Sequence, residues 1–248
     1  MIRSAVILAA GLGSRLKEKT EEKPKGFITI DGIPIIEYSI AKLLKVGIQR
    51  IIIGTGYKSI FYDGLRNKFP QIVCVKSEDY ANTGSMFTLY NLRKEVKEDF
   101  LLLESDLIYE KSGLKELMED VRPNLILGSG RTNSGDEVYI QADEKNRLIN
   151  MSKDIGKLDS IHSELVGISK LSYQAFRVMC DFAVGEFQRT PKLDYESALV
   201  GISRQVDIFV KKNDNFPWCE IDDETHYNRA ISVVYPIIRG RELNAKAD

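Results

Sequence analysis

Short apolar runs alternate with segments of helical periodicity through the first part of the chain. The runs have the length of β-strands and lie at residues 5–8, 27–30, 50–54, 72–75 and 100–103. Between them, apolar residues recur at helical spacing in residues 34–46, 59–69 and 85–96. This alternation is typical of βαβ units, in which crossover helices join parallel strands. The pattern therefore predicts an α/β domain with a mostly parallel sheet.

The second part of the chain has shorter apolar runs separated by polar turns. They lie at residues 125–127, 137–141, 148–151 and 165–169, and are followed by expected helices at 172–182, 195–204 and 223–234 and a strand at 206–210. Ligands of α/β proteins bind at the carboxyl ends of the strands. We therefore expect residues of about 124–170 to form an insertion that folds over this end as a lid. Residues 1–235 are expected to form one domain, and residues 236–248 a C-terminal extension or a linker.

The charge balance limits the kind of partner that the chain can bind. Its 248 residues include 35 basic and 36 acidic side chains, for a formal net charge of -1. A chain without a basic excess lacks the electrostatic footprint of nucleic-acid or membrane binding. The 3 cysteines lack metal-ligand spacing, and no apolar run is long enough for a signal peptide or a bilayer span. We therefore expect a cytoplasmic protein that binds neither nucleic acid nor membranes.

A glycine-containing turn follows the first apolar run, where an anion could meet bare backbone N–H groups. Gly11 and Gly13 can adopt backbone angles that other residues avoid, and they leave room for a phosphate chain. Arg15 can hold two phosphate oxygens at once, and Lys25 supplies a mobile point charge. These residue types predict a site for a triphosphate, with Arg15 and Lys25 as catalytic residues.

Familiar motifs of other enzyme classes are absent from the sequence. A dinucleotide fingerprint requires a third glycine where this chain has Leu16, and a P-loop requires a Gly-Lys-Ser/Thr ending. No Gly-x-Ser-x-Gly elbow indicates a serine hydrolase, and His162 and His226 form no metal motif. Two glycines alone are equally compatible with a structural turn, so the prediction depends on the wider pattern.

Two aspartates at the ends of apolar segments suit a divalent cation. Asp106 follows the run at 100–103, and Asp222 follows the apolar residues of the segment 218–221. Asp223 is better explained as the N-cap of the last helix. Phosphoryl-transfer enzymes without a covalent intermediate generally hold Mg²⁺ on one or two carboxylates and on substrate oxygens. Each aspartate taken alone could instead cap a loop.

The complete pattern resembles a known enzyme family. Residues 8–16, with the sequence LAAGLGSRL, and the Lys-Pro-Lys cluster at 23–25 resemble the signature loop of the nucleotidyltransferases that make nucleoside diphosphate sugars and CDP-alcohols. The resemblance implies a Rossmann-like three-layer nucleotidyltransferase fold in which the insertion binds the acceptor. It also implies that Asp106 and Asp222 jointly hold Mg²⁺, because the Leu-Glu-Ser-Asp and Glu-Ile-Asp segments match the family in order.

The segment 78–90 resembles the choline-phosphate cytidylyltransferase branch and its phosphonate-activating relatives. Asn82 or Thr83 could also simply cap the helix that follows. The resemblance implies CTP as the nucleotide. The residues that it implies as nucleotide ligands are Ala9, Ala10, Gly11, Gly13, Asn82, Gly84 and Ser85.

The expected acceptor site departs from the choline branch, which surrounds a quaternary ammonium with aromatic faces. Carboxylates suit a primary ammonium with its three N–H donors. At the corresponding segments this chain offers Asp136, Glu137, Glu164, Asp194 and Glu196, of which Asp136, Glu164 and Asp194 are the predicted acceptor ligands. Lys153 matches a position that would meet the acceptor anion. We therefore expect transfer of CMP from CTP to 2-aminoethylphosphonate, giving CMP-aminoethylphosphonate and pyrophosphate.

Other acceptors and another class of protein remain open. Phosphoethanolamine, phosphocholine and a sugar 1-phosphate are alternative acceptors, and convergence of Trp218, Tyr195 and Tyr139 on one cation would favour phosphocholine. A regulatory subunit that binds nucleotide without turnover is the alternative of another class, which loss of either aspartate from the metal site would favour. The sequence also leaves open a homodimer or a fusion to another enzyme domain through the C-terminal extension.

Overall fold

The order of strands and helices follows the predicted alternation. The computed structural model describes residues 2–16 and 18–244. Its strands are β1 (Ser4–Ala9), β2 (Thr29–Ile30), β3 (Ile33–Pro34), β4 (Arg50–Thr55), β5 (Ile72–Lys76), β6 (Phe100–Glu104), β7 (Leu107–Tyr109), β8 (Leu125–Ser129), β9 (Tyr139–Ala142), β10 (Leu148–Ser152), β11 (Ser163–Leu171), β12 (Phe209–Asn213) and β13 (Trp218–Glu220). Its helices are α1 (Glu18–Glu21), α2 (Ile35–Lys45), α3 (Ile60–Gly64), α4 (Ser85–Asn91), α5 (Ser112–Glu119), α6 (Tyr173–Glu186), α7 (Tyr195–Ile202), α8 (Glu224–Arg229) and α9 (Tyr235–Asn244).

The main sheet has a parallel centre and an antiparallel flank. Strands β5, β4, β1 and β6 lie side by side in parallel, with Ala5 opposite both Ile51 and Leu101. β11 pairs antiparallel with β6, and it also pairs with β8 and β9. β10 extends this flank beyond β9, and β12 pairs parallel with β8. This mixed α/β architecture with a mostly parallel central sheet confirms the predicted fold class.

Helices cover both faces of the sheet. One face packs against α4, α6 and α7, and the other packs against α2 and α5. Side chains alternate along a strand, so Val6 of β1 belongs to the first cluster and Ile7 to the second. Because both faces are buried, the central strands are almost continuously apolar in sequence.

Residues 27–30 do not form a strand of the main sheet, so that prediction is wrong. Lys25–Phe27 form a 3-10 turn, and β2 pairs with β3 in a separate hairpin. The hairpin turns at Asp31 and Gly32, whose φ angles of 54° and 77° are the left-handed values that an Asp-Gly turn supplies. Ile28 and Ile30 are buried in a third cluster with apolar residues of the C-terminal helices. Burial in this cluster explains the apolar run.

The expected insertion at about 124–170 contributes β8 to β11 to the main sheet, and its action as a lid over the carboxyl ends of the strands stays a prediction. β8 and β11 are buried along their whole lengths, and β11 lies beside β6. The predicted run at 165–169 covers only the middle of β11, which extends from Ser163 to Leu171. The register of β11 against β8 shifts between Leu165 and Ser169. The polar segment between β8 and β9 does reach the cavity described below. Its role in acceptor binding stays a prediction.

The C-terminal segment is helical and packs onto the domain. The side chain of Asp223 caps α8 by accepting from the His226 N–H at 2.9 Å, as predicted. A π-helical turn, Ala230–Val234, joins α8 to α9, in which Ile238 is only 2% exposed. Residues 245–248 of the predicted extension lie outside the described residues. Within residues 2–16 and 18–244, no helix has both the length and the apolar character that a membrane crossing requires.

Candidate active site

A cavity of about 390 Å³ opens at the carboxyl ends of β1 and β6. This is the edge at which α/β sheets bind ligands, and the volume suits a small molecule. The predicted site residues that line it are Ala9, Ala10, Gly11, Gly13, Lys25, Gly84, Ser85, Asp106, Asp136, Lys153, Asp194 and Asp222. The fold therefore brings together residues that are far apart in the sequence.

The glycine turn after β1 leaves space for the side chain of Lys25. Gly13 has a φ of 65°, a left-handed angle that favours glycine, and a Cβ at this position would lie 3.0 Å from Cγ of Lys25. The hydroxyl of Thr20 donates to the Gly13 carbonyl at 2.8 Å and stabilises the turn. Gly13 thus serves both the shape of the turn and the approach of the Lys25 stem to the cavity.

The ammonium of Lys25 lies between two aspartates. Its Nζ lies 2.5 Å from Oδ2 of Asp106 and also contacts Oδ1 of Asp222. Burial lowers the pKa of Lys25, but the charges of Asp106 and Asp222 outweigh this effect and raise the pKa above its usual value. Burial raises the pKa of Asp222, and the charges of Lys25 and Arg15 bring it down to about 2. At neutral pH Lys25 is therefore a cation and Asp222 an anion.

Asp136 holds two cations at the exposed side of the cavity. Its Oδ2 lies 2.5 Å from NH1 of Arg15, and its Oδ1 lies 2.6 Å from Nζ of Lys153. The Arg15 guanidinium is not part of the lining, but its NH2 lies 2.8 Å from Oδ1 of Asp222. Burial lowers the pKa of Arg15 and of Lys153, but the hydrogen bond to Asp136 and the charges of Asp136 and Asp222 together outweigh this effect and raise the pKa of both. An anion that enters on this side meets two aligned cations.

Backbone hydrogen bonds join the start of α4 to the segment that precedes α7. The Gly84 N–H donates to the Pro191 carbonyl at 3.1 Å, and the Met86 N–H donates to the Leu193 carbonyl at 3.1 Å. The Ser85 hydroxyl oxygen also accepts from the Tyr195 N–H at 2.9 Å. These bonds join the predicted nucleotide-binding turn to the first residue of α7.

Besides Arg15, two predicted site residues, Asn82 and Glu164, do not line the cavity. Asn82 is exposed in the turn before α4, whose N-cap is Gly84 without any side-chain cap, so the prediction of capping by Asn82 or Thr83 is wrong. Glu164 is 1% exposed, and its Oε2 accepts from the Thr132 N–H at 2.8 Å. Glu164 therefore anchors the segment after β8. The binding roles predicted for Asn82 and Glu164 gain no support from this arrangement.

Four carboxylates that the sequence analysis did not choose as ligands also line the cavity, namely Glu104, Glu137, Glu196 and Glu220. Burial and neighbouring negative charges raise the pKa of Glu104 to about 7 and that of Glu196 to about 8. The same causes raise the pKa of Glu220 well above its usual range. Spacing could have identified Glu104, because it lies two residues before Asp106 and side chains two apart share a strand face. Glu196 carries no such signal, since acids are common in the first turn of any helix.

One group of these acids can share a cation. Carboxylate oxygens of Glu104, Asp106 and Glu220 lie within 4.8 Å of one another. Asp222 borders the group through its contact with Lys25. Carboxylate oxygens are ligands for hard divalent cations such as Mg²⁺, which prefer them to nitrogen and sulfur. The donor set therefore fits a divalent metal ion of this kind.

Comparison with known proteins identifies the family of this chain. Residues 5–168 match the sequence profile of the MobA-like NTP transferase domain. The chain belongs to this family. This NTP transferase domain is 37% identical to the choline-phosphate cytidylyltransferase of Streptococcus pneumoniae over 98 residues. The aligned region covers 40% of this chain and 42% of that relative. The same domain is 27% identical to the 2-aminoethylphosphonate cytidylyltransferase of Lancefieldella rimae, over 75% of the chain and 74% of that relative.

A solved structure shares the fold of the NTP transferase domain. The inositol-1-phosphate CTP transferase from T. maritima gives a TM-score of 0.82 at 22% identity, over 96% of this chain and 95% of that one. The chain spans about half the length of several curated relatives that it matches, with coverage of 42%, 56% and 44% for three of them. The activity and substrates of the whole protein are therefore treated as proposals below.

Proposed function

We propose that this NTP transferase domain transfers CMP from CTP to a phosphonate or phosphate acceptor that bears an amine, with 2-aminoethylphosphonate as the best candidate. The observation that carries the proposal is the convergence of Lys25, Asp106 and Asp222 beside the glycine turn. A cation and carboxylates suited to a metal ion meet where a triphosphate would find bare backbone N–H groups. The cytidylyltransferase names of two relatives support CTP as the nucleotide.

The transfer needs no covalent enzyme intermediate. An oxygen of the acceptor forms a bond to the α-phosphorus of CTP, and the bond from that phosphorus to the bridging oxygen of the β-phosphate breaks. The electron pair of the broken bond leaves with pyrophosphate. Lys25 and Arg15 donate hydrogen bonds to the oxygens on which negative charge accumulates, and this stabilises the transition state. The acceptor oxygen of a phosphonate dianion is already deprotonated, so no side chain has to act as general base.

Asp106 and Asp222 are the proposed ligands of Mg²⁺, with Glu220 close enough to Asp106 to contribute another oxygen. The ion supplies positive charge to the phosphate oxygens and aligns them. Lys25 contacts both aspartates, so its ammonium keeps their carboxylates facing the cavity and apart from each other. This arrangement also argues against a purely regulatory subunit, because both predicted metal ligands are in place.

The charge of the cavity supports an acceptor with an ammonium group. The lining has 8 acidic and only 3 basic side chains, although the proposed substrates carry phosphate groups. A divalent metal ion supplies part of the missing positive charge, and an acceptor ammonium supplies another part. Primary ammonium groups suit carboxylates because each N–H can donate to an acidic oxygen.

Phosphocholine is the second candidate acceptor, because Tyr195 and Trp218 both line the cavity. The Trp218 indole N–H donates to the Ser129 hydroxyl oxygen at 2.8 Å, and Trp218 is only 7% exposed. Tyr139 is not among the lining residues. Of the three rings whose convergence would favour phosphocholine, two therefore line the cavity, and both are nearly buried, Tyr195 at 2% and Trp218 at 7% exposure. A cage of three rings around a quaternary ammonium is not formed by these residues.

A pyrophosphate-release screen tests the proposed function. CTP, UTP, GTP and ATP are each combined with 2-aminoethylphosphonate, phosphoethanolamine, phosphocholine and glucose 1-phosphate in the presence of Mg²⁺. We expect the highest kcat/KM for CTP with 2-aminoethylphosphonate and loss of release in Asp106→Asn. Turnover of UTP with glucose 1-phosphate and of no amine-bearing acceptor would show that the proposed acceptor class is wrong.

A further inference from the structure

Most acids that line the cavity already have a cation or a set of N–H donors. Asp136 contacts Arg15 and Lys153, and Asp222 contacts Lys25. Oε1 of Glu137 also lacks a hydrogen-bond partner among the described residues, but backbone N–H groups of its own turn stabilise the negative charge and lower its pKa although burial raises it. An acceptor ammonium gains little from these acids, because their negative charge is already balanced or hydrogen-bonded.

Glu196 has a carboxylate oxygen that is buried without a partner. Its Oε2 is shielded from solvent and accepts no hydrogen bond from any described residue. Burial and the negative charge of Glu104 raise the pKa of Glu196 to about 8. An unpartnered buried carboxylate is costly, so its position beside the cavity indicates that a ligand supplies the missing donor.

The carboxylate of Glu104 is held by a hydrogen bond and lies against Gly167, where a larger residue would not fit. Its Oε1 accepts from the Tyr195 hydroxyl at 2.6 Å. Gly167 of β11 has a φ of 80°, and a Cβ there would lie 2.8 Å from Oε2 of Glu104. The register of β11 against β8 shifts between Leu165 and Ser169, in the stretch that contains this glycine. The strand is therefore shaped around the Glu104 carboxylate, and the only hydrogen-bond donor recorded for that carboxylate among the described residues is a neutral hydroxyl.

The cation-rich side of the cavity lies within electrostatic range of these acids. The charge of Lys153 lowers the pKa of Glu196, against the dominant effect of burial. Lys153 and Glu196 both line the same cavity. An acceptor with an anion at one end and an ammonium at the other finds charges of the matching signs, those of Lys153 and Glu196, in one cavity.

We propose that Glu104 and Glu196 bind the ammonium group of the acceptor, and that Tyr195 positions Glu104 for this contact. The inference rests on the proposed function and deepens it, because it assigns specificity for a primary ammonium to acids on the floor of the cavity. It replaces Asp136, Glu164 and Asp194, which the sequence analysis predicted for this role. Asp136 is engaged by two cations, Glu164 does not line the cavity, and Asp194 is exposed.

The test compares two acceptors that differ only at the group in question. 2-Aminoethylphosphonate and 2-hydroxyethylphosphonate are assayed with CTP on the wild type, Glu196→Gln and Glu104→Gln. Glu119→Gln is the matched control, since Glu119 is exposed at the end of α5. We expect both cavity variants to raise the KM for 2-aminoethylphosphonate roughly 10- to 100-fold, the size of one hydrogen bond to a charged group. The KM for CTP and the kcat/KM for the hydroxyl analogue should change less than about threefold.

Calorimetric titration of each variant with 2-aminoethylphosphonate gives an independent readout, in which Kd should rise by the same factor as KM. If both variants weaken the amine and the hydroxyl acceptor equally, the inference is overturned. A large increase in the Mg²⁺ concentration required by Glu104→Gln overturns it too, because Glu104 would then be a metal ligand. If the wild type uses amine acceptors and the variants keep the same preference, only the inference fails. If the wild type turns over no amine acceptor, the proposed acceptor class fails and the inference with it.

Discussion

Lys25 is the residue on which most of the local charge arrangement depends. Its ammonium contacts Asp106 and Asp222, and its side chain is only 14% exposed. Gly13 keeps the space through which its stem reaches them. A buried cation between two carboxylates contributes both to the stability of the fold and to transition-state binding. Substitution of Lys25 measures the two contributions separately, as melting temperature and as kcat/KM.

The substitution Lys25→Met keeps the length of the stem and removes the charge. We expect kcat/KM to fall roughly 100- to 1,000-fold, the range observed when one donor to a developing oxyanion is lost. The melting temperature should also fall, because two carboxylates lose their shared cation. Added Mg²⁺ should restore part of this stability, since it binds the same aspartates. Lys115→Met, at an exposed position of α5, is the control and should leave both measurements unchanged.

The substitution Tyr195→Phe removes one hydroxyl and keeps the buried ring. We expect the KM for 2-aminoethylphosphonate to rise about 3- to 10-fold, because Glu104 loses the hydrogen bond that orients it. The KM for CTP should stay the same. A uniform loss of activity with both acceptors would instead indicate a general packing defect around α7.

The candidate site could be predicted in part at the level of residues. Lys25, Asp106 and Asp222 were accessible because strand ends and glycine turns have recognisable local patterns. Glu164 was misplaced by a single position, since Leu165 lines the cavity and adjacent residues of a strand face opposite sides. Glu196 was only one of several acids in its segment, and its burial could not be predicted because it depends on tertiary structure.

Among the helices, α4 has the most constrained position relative to the cavity. A Cβ on Gly84 would lie 2.2 Å from the backbone carbonyl oxygen of Leu193, too close for any real contact. The same segment accepts the hydrogen bonds of the Gly84 and Met86 N–H groups. The first turn of α4 and the start of α7 are therefore expected to move as one unit.

Replacement of Gly84 by Ala should separate these two segments. We expect the free energy of unfolding to decrease by about 1–3 kcal/mol, as for other overpacked sites. The KM values for CTP and for the acceptor should rise together, since the two segments line both parts of the cavity. Gly185→Ala is the matched control, because no atom lies within 4 Å of a Cβ built there. This control lies in α6 and should stabilise the protein by up to about 1 kcal/mol. Equal effects of the two substitutions would refute the docking argument.

The elements with strong periodicity could be predicted, and some of the short ones could not. The helices at 34–46, 172–182 and 195–204 correspond to α2, α6 and α7. β7 escaped prediction because it has only 3 residues, whereas the apolar segment at 218–221 did indicate β13. The two strands pair across a long stretch of chain. This pairing, together with the Ile221 N–H that donates to the Asp106 carbonyl at 3.0 Å, brings Asp222 beside Asp106. The key juxtaposition of the site is therefore a product of tertiary structure.

At the scale of the whole molecule, the C-terminal helices complete one of the hydrophobic clusters of the core. Ile238 packs in one cluster with Leu16, which follows the glycine turn, and with Ile221, which precedes Asp222. The segment predicted as an extension or a linker thus contributes to the core beneath the site. Its loss should affect the whole domain.

The neighbouring residues Ile237 and Ile238 provide a direct comparison. Ile238 is 2% exposed and Ile237 is 43% exposed on the same helix. We expect Ile238→Ala to lower the free energy of unfolding by about 2–5 kcal/mol, the cost of truncating a buried aliphatic side chain. Ile237→Ala should cost less than about 1 kcal/mol. Chemical denaturation of both variants measures the difference, and similar midpoints would mean that α9 does not belong to the folded core.

The buried acids should make the stability of the whole domain depend on pH. The pKa of Glu196 is raised to about 8 by burial and by the charge of Glu104, whereas an unfolded chain has a glutamate pKa of about 4.3. Between these values the folded state binds more protons than the unfolded state, so the free energy of unfolding falls as pH rises from about 4.5 to 8. Glu196→Gln should reduce the slope of melting temperature against pH over this range, whereas Glu119→Gln should keep the wild-type slope. Identical slopes in all three proteins would show that Glu196 is not buried as described. Mg²⁺ together with 2-aminoethylphosphonate should flatten the wild-type curve near pH 8, since bound cations stabilise the ionised carboxylates that the unliganded fold disfavours.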